Sequence, residues 1–218
     1  MVSDKLTPDP PFALVLTFDG RRERGLLEGV ADRFNGRILL WFPLTRGRGG
    51  LEALCESLRE HLERAYRRGK ALSFMPVLVL GDKEHFRAAL AGRAAMADEL
   101  KAVMASRGLD VLSAREMMAS RFCGLLAVEG RYGHRPFRAL VVVLGEQRCA
   151  EENLAFLARR LGLERVPSMA RELRKLLADR GEVPDSLLEE AFPCLCAALR
   201  ELHGLLAGER DQDGREAG

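Results

Sequence analysis

Three short stretches carry side chains whose types and spacing could do chemistry. Gly81-Asp82-Lys83-Glu84-His85 closes the apolar run Phe74 to Leu80 and sets two carboxylates two residues apart, with an imidazole beside them. Asp19 and Glu23 follow the apolar run Phe12 to Phe18. Thr45 to Gly50 reads TRGRGG, which places Arg46, Arg48, Gly49 and Gly50 just ahead of a helical pattern. Asp19, Asp82 and Glu84 are hard oxygen donors of the kind that Mg2+ or Mn2+ takes, often with only one or two protein carboxylates beside substrate phosphates. His85 offers an acid/base group near neutral pH. An Arg/Gly loop opening a helix suits phosphate, through free backbone N–H groups, the helix dipole and charge-assisted hydrogen bonds. The same residues admit a plainer reading, in which Asp19 and Asp82 end strands and cap the following helices and the loop glycines only cap and turn. Sequence alone leaves both open.

The spacing of the acids is similar to that of the Toprim phosphoryl-transfer domain over about residues 12 to 105. That domain places an acid after its first strand and a DxD-type pair after its third. This chain departs from it by carrying FDG in place of a glutamate-glycine signature and Asp-x-Glu in place of the pair. Other motifs are excluded. GxxxxGK[ST] and GxGxxG are absent, so neither a P-loop nor the dinucleotide fingerprint is present. Cys194 and Cys196 fall on nearly opposite sides of a helix and have no CxxC or HxxxH companion, which argues against a zinc site. Arg131, Tyr132, His134, Arg135 and Arg138 form a basic stretch with one aromatic, a weak pattern for nucleic-acid contact beside the reading as a solvated loop.

The elements that must position these residues read as strand and helix in turn. Phe12–Phe18, Arg37–Phe42 and Phe74–Leu80 are continuous apolar runs of strand length, which implies burial on both faces of a mainly parallel sheet. Between them, Leu26, Leu27, Val30 and Phe34, then Leu51, Leu54, Cys55, Leu58 and Leu62, mark amphipathic helices. A further helix is predicted over 86–106, a short strand over 110–112 and a helical turn over 114–120. Cys123–Val128 and Phe137–Leu144 read as an antiparallel edge hairpin around the loop 129–134. From Cys149 onward the pattern is helical, with leucine stripes.

The expected fold class is therefore α/β: a Rossmann-like, three-layer, mainly parallel sheet with an antiparallel edge hairpin, followed by a helical C-terminal appendage. The expected divisions are a flexible N-terminus over 1–11, the core over 12–145, the helical region over 149–207 and a disordered tail over 208–218. With the first strand lying between the second and third, the loops 19–24, 45–50 and 81–85 converge at the strand carboxyl ends, where open α/β sheets bind ligands.

Composition narrows the class of function. The chain has 218 residues, 47% hydrophobic, with a net charge of +2, and no apolar run is long enough to span a bilayer. A polar, proline-rich start unlike a signal peptide gives the expectation of an intracellular, cytoplasmic protein. Five cysteines in apolar segments predict reduced core thiols. Lysine occurs at five of the 34 basic positions, and amides are few, which suits a thermophile or a GC-rich genome. Interleaved acids argue against a general DNA-coating surface. The functional expectation is binding of a phosphate-bearing ligand, nucleotide or nucleic acid, at the strand ends, with Mg2+ or Mn2+ and phosphoryl-transfer or nuclease chemistry; whether catalysis occurs is left open. The alternative is a non-catalytic interaction module, a homodimer or a subunit of a larger assembly, using the helical C-terminal third.

Overall fold

The structure, a computed structural model, describes residues 2–3, 12–18, 22–34, 38–43, 50–68, 73–167, 172–178 and 183–216. Seven strands form one sheet: β1 (Val2–Ser3), β2 (Phe12–Thr17), β3 (Leu39–Trp41), β4 (Met75–Asp82), β5 (Asp110–Ser120), β6 (Cys123–Tyr132) and β7 (Arg135–Leu144). Their order is β1-β3-β2-β4-β7-β6-β5, and β1, β3, β2, β4 and β7 run parallel. β6 is antiparallel to both β7 and β5. β2 thus lies between β3 and β4, the order on which convergence of the three loops depends.

The strand pattern sorts side chains with period two onto two faces. Ala13, Val15, Leu78, Leu80, Leu140 and Val142 share one face with α1 (Arg22–Phe34), α5 (Ala150–Arg160), α6 (Glu172–Ala178), α7 (Asp185–Ala191) and α8 (Pro193–Glu216). Leu14, Leu16, Val77, Val79, Val141 and Val143 share the other with α2 (Gly50–Arg68) and α4 (Met96–Ser106). α1 covers one face as the chain moves outward from β2 to β3, and α2 covers the opposite face as it returns past β2 to β4. A constant crossover hand requires that switch.

The structure corrects several expectations. The C-terminal helices are a layer of the α/β fold rather than an appendage: Leu187, Leu188, Phe192, Leu195, Leu199 and Leu202 are buried in the core that contains the sheet residues. α8 runs on to Glu216, past the tail expected from residue 208, and Val2–Ser3, expected to be flexible, pair with Leu40 and Trp41. The segment 114–120 has helix-forming residues, yet it is strand, because pairing with β6 overrides local propensity. The single helix predicted over 86–106 is a four-residue α3 (Arg87–Leu90) and the separate α4, with Gly92 in the break. β6 and β7 extend through the expected loop to a two-residue turn, Gly133-His134. Cys123 and Cys194 form a disulfide, against the expectation of five thiols; 71 residues of separation hide that proximity in the sequence. No helix among the described residues is long and apolar enough to cross a membrane.

Candidate functional site

Strand order reverses at β2, whose neighbours β3 and β4 are reached by opposite crossovers, so the carboxyl ends of β2 and β4 border a switch point. Asp82 is the last residue of β4, and Lys83–His85 form a 3-10 turn directly after it. Glycine is required at 81 by close approach: a Cβ there would lie 1.5 Å from Cδ2 of Phe18. The Phe18 ring takes that space and stacks on the His85 imidazole, with centroids 4.9 Å apart and planes 7° from parallel. Sequence thus sets the imidazole through two steps, a missing side chain on β4 and a ring at the end of β2.

The turn is also held from the β7–α5 connection. Glu84 N–H donates to the Arg148 carbonyl at 2.8 Å, and Lys83 Nζ donates to the Glu146 carbonyl at 2.9 Å. Asp82 is 5% exposed, and its Oδ1 accepts the Ala150 N–H at 2.9 Å, so it caps the first turn of α5. The capping role foreseen for Asp82 is real, but for a helix 68 residues away rather than the next one. Asn153, fully buried, braces the same end: its Oδ1 accepts the Gly145 N–H at 2.9 Å and its Nδ2 donates to the Ala191 carbonyl at 2.7 Å and the Phe122 carbonyl at 3.2 Å.

Asp82, Glu84 and His85 each bring one ligand-type atom to within 4.8 Å of the others, with Asp82 buried, His85 half-buried and Glu84 exposed. Two carboxylates and an imidazole within that span fit a divalent cation, and the imidazole tilts the set from Mg2+ towards Mn2+. Gly50 opens α2 beside them at a φ of 67°, and a Cβ there would stand 3.5 Å from His85 Nδ1. Of the residues predicted for the site, Asp82, Glu84, His85 and Gly50 therefore come together. Asp19, Arg46, Arg48 and Gly49 lie outside the described residues. Glu23, in the first turn of α1, is 1% exposed.

Sequence reasoning passed over three residues around this end. Cys149 precedes α5 next to Asp82; burial, then Glu151 and Asp82, push its thiol up to about 11, so it is neither a ready thiolate ligand nor a nucleophile at neutral pH. Arg87 and Glu99 line a cleft of about 480 Å³ together with Gly50, Leu51, His85 and Val103. The recoverable signal was the acid in the first turn of α4, since Glu99 reaches back to accept the Ala88 and Ala89 N–H groups at 2.9 Å each. Among the other histidines, His134 is exposed in its turn, while His61 is 4% exposed against Trp41.

The chain is thus an α/β protein built on a mostly parallel seven-stranded sheet, with an acid-and-imidazole cluster at its switch point. Comparison with protein families, characterised proteins and solved structures finds no match to it, so the likeness to the Toprim domain rests on the spacing of the acids alone.

Proposed function

We propose that this protein binds a phosphate-bearing ligand at the carboxyl ends of a Rossmann-like sheet, with a divalent cation held by Asp82 and Glu84. The observation that carries the reading is the approach of Asp82, Glu84 and His85 to within 4.8 Å at the switch point between β2 and β4. Buried carboxylates are rare without a compensating partner, and an isolated one would be neutralised rather than kept charged. Asp82 accepts a backbone N–H at the start of α5, and a bound cation would share its negative charge. Bound, the cation supplies charge neutralisation and orientation for phosphate oxygens. The chain's own part is to fix the carboxylates through the 146–150 connection and to orient His85 on Phe18, where it can accept or deliver a proton. Asp19, Arg46, Arg48 and Gly49 remain proposed partners of that ligand, for metal and phosphate respectively.

The interaction-module reading, by contrast, loses its main support. The leucine stripes on which it relied are turned onto the sheet.

The test is scanning fluorimetry on Trp41 with nucleotides, short single- and double-stranded nucleic acids, and Mg2+ or Mn2+. A ligand that binds only the folded state at 100 times its dissociation constant adds about 2.7 kcal/mol. A shift with metal and with phosphate ligand, largest when both are present, is the expected result; no shift across the panel would refute the reading.

A further inference from the structure

The cleft between α2 and α4 holds more than the cluster requires. The first turn of α2 and the residues Glu99 and Val103 of α4 wall it, with His85 and Arg87 between them. Its lining carries two acids, Glu52 and Glu99, and one arginine, Arg87. Glu99 is engaged by two backbone N–H groups, and Glu52 by the Arg107 guanidinium at 2.5 Å. The exposed Arg87 side chain makes no hydrogen bond or ion pair among the described residues; only its carbonyl is engaged, by the Ala91 N–H. Both acids of the cleft are thus occupied while its arginine is not.

We infer that this cleft is the seat of a phosphate group carried by a small molecule, with Arg87 as its counter-charge. The inference rests on the reading above, because His85 belongs to both the cleft and the carboxylate cluster, so a phosphate in the cleft lies next to the cation. Arginine suits the role: its planar guanidinium presents paired donors that match phosphate oxygens. The grip of Glu99 on Ala88 and Ala89 fixes the start of α3 and so holds the backbone of Arg87 in place. A four-residue helix would not persist alone. Leu51 and Val103 give the cleft an apolar wall, and about 480 Å³ falls within the range of small-molecule sites. That size admits a nucleoside monophosphate and not a duplex, which narrows the ligand to the smaller of the two classes proposed.

The experiment titrates adenosine 5′-monophosphate and inorganic phosphate calorimetrically in the presence of a chelator, and Mn2+ separately by electron paramagnetic resonance. Wild type, Arg87→Gln and Glu84→Gln are compared. Arg87→Gln is expected to weaken nucleotide and phosphate binding at least tenfold while leaving Mn2+ affinity within twofold. Glu84→Gln is expected to do the reverse. Unchanged nucleotide binding by a folded Arg87→Gln protein, absence of binding to wild type, or tighter wild-type binding of a short duplex than of the monophosphate would each overturn the inference. The Mn2+ titration judges the metal reading independently of all three.

Discussion

The two faces of the sheet are covered differently. Among the described residues, five helices, α1 and α5–α8, lie on one face and bury an almost wholly apolar layer, while α2 and α4, with Ala89 of α3, cover the other and leave the cleft between them. Both faces bury apolar cores, and the thinly covered one also has room for a ligand. Asp82 belongs to the first, since it follows Leu78 and Leu80 on their side and caps α5. His85 belongs to the second, stacked on Phe18 and facing the start of α2. The candidate site sits where the two meet, at the end of β4.

The largest expected effect breaks the thick face outright. Each buried leucine contributes about 1.5–3 kcal/mol, so Leu187, Leu188, Leu195, Leu199 and Leu202 together contribute about 7.5–15 kcal/mol, as much as the whole roughly 5–15 kcal/mol stability of a typical domain. A chain ending at residue 148 is therefore expected to lose cooperative unfolding altogether, measured by circular dichroism through a urea titration. A folded truncated core would show that the C-terminal helices are an appendage after all.

Gly81→Ala comes next, and it strikes the junction of the faces. The new Cβ must displace the Phe18 ring, at the roughly 1–3 kcal/mol typical of overpacking. It should also release the His85 imidazole, visible as a changed histidine resonance. Asp82→Ala removes a buried acceptor from the Ala150 N–H and should cost about 1–3 kcal/mol in chemical denaturation, so it is not a silent probe of function. Asp82→Asn keeps the accepting oxygen and should recover most of that loss.

On the thin face, His61 gives stability a pH dependence. Burial against Trp41 holds its pKa below the ordinary 6.5, so the folded state resists a proton that the unfolded state accepts. Stability is then fully present above pH 6.5 and falls as pH drops from there towards the folded pKa. His61→Gln should flatten that part of the profile. Smallest of all is Arg138→Ala on the β6–β7 hairpin, where a guanidinium over Phe74 and a 3.5 Å contact with Glu129 are largely exposed. About 0.5 kcal/mol or less is expected there.

What could be seen in the sequence follows the same division. Continuous apolar runs identified β2, β3 and β4, and with them the end of β4 as the place where Asp82, Glu84 and His85 gather. Features set by distant pairing stayed hidden. The segment 114–120 is strand only because β6 lies beside it, and Cys123 meets Cys194 only because α8 begins over the start of β6. Leucine stripes after residue 149 announced helices without saying what they cover, since an apolar stripe is the same whether it meets a sheet or a partner. Arg87 carried no signal, because its importance comes from Glu99 and Glu52 being occupied by other groups.

Of the two carboxylates proposed to hold a divalent cation, Asp82 and Glu84, Glu84 offers the cleaner test because it is exposed. The direct measurement is Mn2+ binding by electron paramagnetic resonance to the wild-type protein and to Glu84→Gln, with thermal unfolding recorded for both. One bound Mn2+ per wild-type chain and at least tenfold weaker binding to the variant are expected, with an unchanged melting temperature. Wild-type protein that binds no Mn2+, or a variant that binds it equally well, would rule out a cation at Asp82 and Glu84 and leave the cluster a structural end to β4.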